Sequence, residues 1–474
     1  MRAPGDILLV ACYEMGHQPL ALAWPAAFLE RVGYRPAALD LSVDPLDGAA
    51  VRRARLVAIS VPMHTALRLG ARVAAEVRAL NPGCHVCFYG LYATLNAGYL
   101  LANGGDSVLA GECEDDLVAL ARRLESETAE TADGWRGAPL REASRGTPHR
   151  AGVASRAGRP PRQDPSAGSV GGDATARATL AKLSFPTPAR AGLPPLERYA
   201  HLERGGQREL AGYVEASRGC LHRCRHCPIP PVYDGRFFVV PVDVVLADVR
   251  QQAQAGAVHM TFGDPDFLNG PGHALAVARA VHREFPALTF DFTAKIEHLL
   301  RHARHLPELG RLGCAFVVTA AESLDDAVLG YLDKGHTRAD IERVLDVTRA
   351  AGIALRPTWI AFTPWTTLDG YRAWLDFVAA RDLVDAVDPV QYAVRLLLPP
   401  GSLLLEHPAL QPHLGPLDAA GFHYRWTHPD PRMERLHAEV TAAVGATTRQ
   451  PEDPALTFER VRALADAAAG AAPR

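Results

Sequence analysis

No run of about 18 consecutive apolar residues occurs in the 474-residue chain, so no membrane-spanning helix is expected. Nor is a secretory leader expected. The opening MRAPGDILLVACYEMG has one Arg and a short apolar run, but no leader-type hydrophobic region with a small-residue cleavage site, and it reads as a first strand. Strong charge of either sign is missing: 50 Lys and Arg stand against 53 Asp and Glu, a net of −3. That balance gives no electrostatic argument for nucleic acid or a membrane surface as partner. Cysteine is scarce as well. Eight in a chain of this length do not make a disulfide scaffold, and a reducing cytoplasm is the expected setting. Five of them, Cys12, Cys84, Cys87, Cys113 and Cys314, are scattered or embedded in strand-like runs. What is abundant is hydrophobic material, 48% against 22% charged, enough for a large core. The length exceeds one ordinary core and predicts two or three domains.

Two stretches alternate strands and helices. In residues 5–126, DILLVACY, PAALDLSV, RLVAISVP, HVCFYGLY and DSVLAGE read as five strands with helical segments between them. This predicts an N-terminal doubly wound, flavodoxin-like parallel sheet over residues 1–126, which takes ligands at its carboxyl edge. Residues 127–192, rich in Ala, Arg, Gly, Ser, Pro and Thr, read as a flexible linker. From about residue 211 the runs YVEASRG, HMTFGD, TFDFTAK, CAFVVTAA, IALRPTWIAF and PVQYAVRLLL predict a partial (β/α)6 barrel, with the domain spanning 193–400. Function in such barrels sits at the carboxyl ends of the strands. Residues 401–474 read as a mixed, mostly helical C-terminal region.

The stretch SRGCLHRCRHCPIP follows the first barrel strand and spaces its thiols Cys220-x3-Cys224-x2-Cys227. A structural zinc site closes with four ligands, from two CxxC-type pairs or a CxxC and a HxxxH. No second pair follows, and His222 and His226 are wedged between the cysteines. Three soft thiolates suit three irons of a cubane [4Fe–4S] cluster and leave the fourth iron open. S-adenosylmethionine can chelate that iron through its amino and carboxylate groups, and an electron from the reduced cluster then breaks a carbon–sulfur bond.

This arrangement resembles the radical S-adenosylmethionine superfamily over residues 211–400, with His226 in the slot where the family usually has an aromatic residue. The resemblance implies further cofactor-binding positions. Gly263 and Asp264 in HMTFGDPDF take the place of a Gly-Gly-Glu-like turn that meets the methionine amino group. The sequence departs there, reading Gly-Asp-Pro, and Asp264 and Asp266 are equally read as caps of the next helix. Glu322 and Ser323 resemble a Gly-x-Glu-Ser strand end that approaches the nucleoside. Lys295 is expected at the third strand end. Arg356 and Thr358 on the fifth strand, and Gln391, Tyr392 and Arg395 on the sixth, are pocket candidates, an Arg at a barrel mouth being suited to a carboxylate. For each Arg the alternative is an ion pair on the sheet surface. Asp325 and Asp326 read as helix N-terminal charge, and the turn Lys334-Gly335-His336-Thr337 reads as structural. No catalytic residue is singled out.

A doubly wound domain ahead of such a barrel resembles the cobalamin-binding domain of many superfamily members. The Asp-x-His-x-x-Gly motif that supplies a lower cobalt ligand is absent; CYEMGHQPL stands there, with His17 in another context. Cys84-x2-Cys87 lies in a strand with its side chains on opposite faces, unsuited to a metal pair. A closer resemblance is to the CUAEP/CCAEP-tail radical S-adenosylmethionine proteins, carried by CYEMGHQPLALAWPAAFLERVGY, HVCFYGLYATLN, LRPTWIAFTPWTTL, RLLLPPGSLLL and RWTHPDPRM. A related set, including an enzyme of arsinothricin biosynthesis, has tail cysteines and moves the aminocarboxypropyl group to arsenic. Here no cysteine follows Cys314, so the tail chemistry is not carried over.

The expected function is a radical S-adenosylmethionine enzyme with a [4Fe–4S] cluster. The first reading is cobalamin-dependent methyl transfer to a small molecule in specialised metabolism. The second is aminocarboxypropyl transfer or another reaction without cobalamin, and the third a non-catalytic iron–sulfur or metal-binding protein. An electron donor such as flavodoxin or ferredoxin is the expected partner; nucleic acid and membrane are not.

Overall fold

The computed structural model describes residues 1–133, 178–449 and 452–470. The chain divides into two compact units, Met1–Ala200 and His201–Arg474.

In the first unit the strands β1 (Ile7–Ala11), β2 (Ala37–Asp40), β3 (Leu56–Ser60), β4 (His85–Tyr89) and β5 (Ser107–Leu109) form one parallel sheet in the order β2-β1-β3-β4-β5. This is the flavodoxin-like order expected. Every residue of β1 and of β3 is buried, as strands covered on both faces require, which is why they read as unbroken apolar runs. The helix His64–Leu80 is amphipathic, burying Leu67, Val73, Ala74 and Val77 and exposing Arg68, Arg72 and Glu76. The helix Glu114–Asp133 opens with three acidic residues, which its dipole favours. It runs past residue 126, the expected end of this domain.

Residues 134–177 of the expected linker lie outside the described residues. Residues 178–200 are fastened to the first unit. Thr179 bridges Gly111 and donates its hydroxyl to Asp116 Oδ2 at 2.6 Å. Gly111 has φ +75°, and a Cβ there would stand 2.3 Å from the Thr179 carbonyl oxygen, so only glycine admits the strap. Further along, Ala189 N–H donates to Ala23 O at 3.0 Å, Phe185 packs edge-on against Trp24 and Phe28, and the Tyr199 hydroxyl donates to Asp40 at 2.8 Å.

The second unit is built on β6 (His201–Arg204), β7 (Gln207–Val214), β8 (Ser217–Gly219), β9 (Phe237–Val239), β10 (His259–Phe262), β11 (Thr289–Thr293), β12 (Cys314–Glu322) and β13 (Ala354–Trp359). Six of these form a sheet curled into a half-barrel, in the order β13-β12-β11-β10-β7-β6. The strands β7, β10, β11, β12 and β13 run parallel, while β6 is an antiparallel edge. Register alternates the faces. Met260, Phe262, Phe290, Phe292, Val317, Leu355 and Trp359 are buried under the helices. Tyr213, Thr261, Asp291 and Phe316 stand side by side on the other face, where Arg356 and Thr358 also lie. On that inner face His259 Nε2 meets Asp291 Oδ1 at 2.8 Å, and the Thr261 hydroxyl donates to the same oxygen at 2.6 Å.

The sixth strand position, expected over PVQYAVRLLL, is mostly not strand. Pro389 opens a 3-10 turn, Pro389–Ala393, with Asp388 accepting from the Val390 N–H. Only the residues around Arg395 are extended, bridging Phe362 in parallel, before Pro399 and Pro400 end the run. The C-terminal part has a hairpin, β14 (Leu414–Asp418) and β15 (His423–Trp426), and the helices Pro431–Arg449 and Pro454–Ala468. It shares a core of Val328, Leu332, Leu396, Leu398, Leu404, Leu410 and Trp426 with the barrel. Among the described residues no helix is long and apolar enough to cross a membrane.

Candidate functional site

The cysteine loop leaves the carboxyl end of β7 through β8. Its entry is held by Asp264, just past β10: one carboxylate oxygen accepts from Ser217 Oγ at 2.5 Å, the other from Ala216 N–H at 2.9 Å. Asn269 Oδ1 accepts from Leu221 N–H at 3.2 Å and lies 3.9 Å from Cys220 Sγ. Arg225, between two of the cysteines, fixes the loop from the far side. Its N–H donates to Leu332 O and its carbonyl accepts from Ser402 Oγ and Leu404 N–H, all at 2.9 Å. Its guanidinium donates to Gly330 O and Tyr331 O.

Cys220 and Cys224 are buried and Cys227 half-buried, and none is in a disulfide. Burial pushes the Cys220 thiol up to about 11 and the Cys227 thiol up to about 12. Left to the protein alone these sulfurs stay protonated; a cationic metal centre would make them thiolates. Among the described residues, His222, Asp266 and His298 form a group whose donor atoms all lie within 4.8 Å of one another. Burial and soft donors are what the corners of a polynuclear cluster require.

Glu322 ends β12 in a left-handed conformation, φ 64°, beyond a bulge in the ladder with β13. A non-glycine residue held there is strained and is maintained by its surroundings. Its carboxylate meets Lys334 Nζ at 3.1 Å and His226 Nε2 at 3.2 Å. Burial alone would raise its pKa, but Lys334 and His226 outweigh that and bring it down to about 2. His226, the residue next to Cys227, is thus in direct contact with this buried anion. Among the described residues, His226 Nδ1 has no hydrogen-bond partner.

The residues expected at the site separate into groups. Gly263 packs against Tyr213, whose hydroxyl oxygen lies 2.1 Å from where a Cβ would be. Asp264 has both oxygens engaged by the loop entry, and its burial pushes the carboxyl up to about 7. Glu322 and Ser323 line a cavity of about 320 Å³ together with Trp359, Ile360, Tyr371 and Trp374. Arg356 lines a different cavity with Val318, Thr358 and Gln391, its guanidinium 4.2 Å above the Phe316 ring. Arg395 is held in a bidentate pair with Glu434, both bonds at 2.9 Å, over the face of Trp426, so it clamps the C-terminal helix and not a ligand. The turn at Lys334 is structural as expected, Thr337 capping the helix Arg338–Ala350, and Lys334 is in addition the partner of Glu322.

Sequence reasoning missed two features. One is the Glu322–His226–Lys334 contact; the other is the meeting of His222, Asp266 and His298. The three donors of the second lie on the cysteine loop, after β10 and after β11, and only the barrel's strand order brings them together. The visible signal was the recurrence of His, Asp and Lys at successive strand ends.

Residues 214–362 match the family model described as the Radical SAM superfamily; the chain carries a radical SAM domain. Three solved structures are similar over most of the chain. The radical S-adenosylmethionine methyltransferase TsrM from Kitasatospora setae, with cobalamin and a [4Fe–4S] cluster bound, is 19% identical with a TM-score of 0.56, over 80% of this chain and 70% of that one. The cobalamin-dependent S-adenosylmethionine radical enzyme OxsB with aqua-cobalamin bound is 14% identical with a TM-score of 0.64, over 93% of this chain and 67% of that one. The apo form of OxsB is 14% identical with a TM-score of 0.67, over 97% and 72% of the two chains. At these identities the likeness is one of fold, a doubly wound sheet followed by a radical SAM half-barrel.

Proposed function

We propose that the protein is a radical S-adenosylmethionine enzyme that transfers a methyl group to a small molecule with the help of cobalamin. The observation that carries the reading is the cysteine loop: three free thiols at the carboxyl end of β7, on a loop clamped from both sides. Cys220, Cys224 and Cys227 would hold three irons of a [4Fe–4S] cluster. When bound, that cluster with S-adenosylmethionine on its open iron supplies the electron that cleaves a carbon–sulfur bond. The chain's own part is to fix the loop through Arg225 and Asp264, to hold His226 against Glu322 beside Cys227, and to offer the cavity behind Glu322 and Ser323.

The cobalamin reading rests on the first unit. Its sheet is of the type that accepts ligands at the carboxyl edge. There Ser60 Oγ, at the end of β3, and Thr94 Oγ1, in the short helix Leu91–Leu95 after β4, are buried without hydrogen-bond partners among the described residues, a cost that a bound polar ligand would remove. Met15 also sits at this edge, left-handed and 56% exposed. Ser60 and Thr94 are the residues that would hold the corrinoid's polar periphery. TsrM and OxsB, with cobalamin bound, share this fold. A ferredoxin or flavodoxin would deliver the electron.

The test is anaerobic reconstitution followed by turnover with S-adenosylmethionine and a chemical reductant. About four irons per chain, a corrinoid retained on desalting, and S-adenosylhomocysteine among the products are expected. Methylthioadenosine as the sole nucleoside product would replace methyl transfer with aminocarboxypropyl transfer. Iron with no nucleoside product at all would leave only a metal-binding protein.

A further inference from the structure

His222 stands on the cysteine loop, and Asp266 and His298 follow β10 and β11. His222 Nε2 lies 3.1 Å from His298 Nε2, 3.4 Å from His298 Nδ1 and 3.7 Å from Asp266 Oδ2, and His298 Nδ1 lies 3.0 Å from the same Asp266 oxygen. Around a tetrahedral ion with metal–nitrogen and metal–oxygen bonds of about 2.0–2.1 Å, ligand atoms stand about 3.4 Å apart. The three donors are thus already at ligand separations. Asp266 is the carboxylate of the group; Glu297 beside it is paired with Lys295, whose Nζ lies 3.5 Å away, and with Arg301. One ligand is also braced. Asp266 accepts from the Leu268 N–H on Oδ1 and the Lys295 N–H on Oδ2, and a ligating carboxylate hydrogen-bonded in this way is held in orientation. His222 Nδ1 faces the Lys295 ammonium at 3.1 Å, with Glu297 Oε2 at 3.8 Å.

We infer that His222, Asp266 and His298 form a second metal site, separate from the cysteines, for one divalent transition ion of the zinc or iron(II) class. Two imidazoles and one carboxylate suit such ions, and three protein ligands leave at least one position open. The ion ties the cysteine loop to the strand ends of β10 and β11, so that the loop is anchored at His222 as well as at Arg225.

The experiment uses tag-free full-length protein, anaerobically reconstituted to full iron content, incubated with zinc, desalted and measured for both metals. One zinc per chain beyond the iron is expected. His298→Gln and His222→Gln should each lower zinc retention at least about tenfold, with iron unchanged. No retained zinc in the parent protein, or equal retention in both variants, overturns the site. So does loss of iron and zinc together in both variants, since the cluster of side chains would then be part of the fold alone. Failure of the cluster reading would appear differently, as zinc bound but iron absent.

Discussion

The two sheets are built from the same βα repeat and treat their faces oppositely. In the first, β1 and β3 are buried at every residue; in the second, β13 alternates exposed and buried from Ala354 to Trp359. A sheet covered on both sides spends all its side chains on packing and keeps its chemistry at the strand ends. A half-barrel leaves one face to a lumen, and there polar residues appear in rows: His259, Thr261 and Asp291, then Arg356 and Thr358. Position along a strand therefore decides function in the first sheet, while position and face both decide it in the second.

Cysteine gives the sharpest break. Cys87 sits in the first sheet, its thiol pushed up to about 12 by burial, whereas Cys224 sits on the loop beyond a barrel strand. Cys224→Ala should reduce bound iron to near nothing and abolish S-adenosylmethionine cleavage. Cys87→Ala should leave iron content and activity unchanged. Iron retained in full by the Cys224 variant would dissolve the distinction.

Glu322→Gln should be next in size, costing about 3 kcal/mol in urea unfolding of the second unit, because Lys334, 3% exposed on its side chain, loses its counter-charge. The pH dependence follows the same pair. The Glu322 carboxyl titrates near 2 in the folded protein against an ordinary value of 4.5. Its stabilisation is present above about 4.5 and fades as pH falls toward 2. The variant should lack that acid-side loss.

Face dependence is tested by two truncations measured by denaturant unfolding. Ile59→Ala, in the fully buried β3, should cost about 3 kcal/mol. Thr358→Ala, on the lumen face of β13, should cost under about 1 kcal/mol. Similar losses would remove the asymmetry. Smallest for the barrel is Gly111→Ala. It should destabilise the first unit by about 2 kcal/mol through a left-handed alanine pressed on Thr179, and leave the iron content of the second unit untouched.

How far these features were legible follows from their range along the chain. The strands of the first sheet were legible because double burial writes itself as runs such as ILLVA and LVAIS. The cysteine triplet was legible because its spacing is local. The run RLLLPP misled toward a sixth strand, since apolar residues there pack the core around Leu404 and Trp426 without joining a ladder. Residues 178–200 read as part of a linker and the start of the barrel because their anchors are single residues, Thr179, Phe185 and Tyr199, on a polar, proline-rich background. Asp264 stood at the right strand end, but sequence could not show that both its oxygens are engaged by Ala216 and Ser217. The His222 group spans 76 residues between its histidines, and no local pattern encodes that meeting.

The Arg225 clamp carries a consequence for biosynthesis. Its partners lie 105 residues downstream at Gly330 and 177 downstream at Ser402. A ribosome that has released only the cysteines has not yet made either anchor. The loop acquires its shape when the last third of the polypeptide has emerged, and metal loading into a shaped loop is therefore an event of the finished chain.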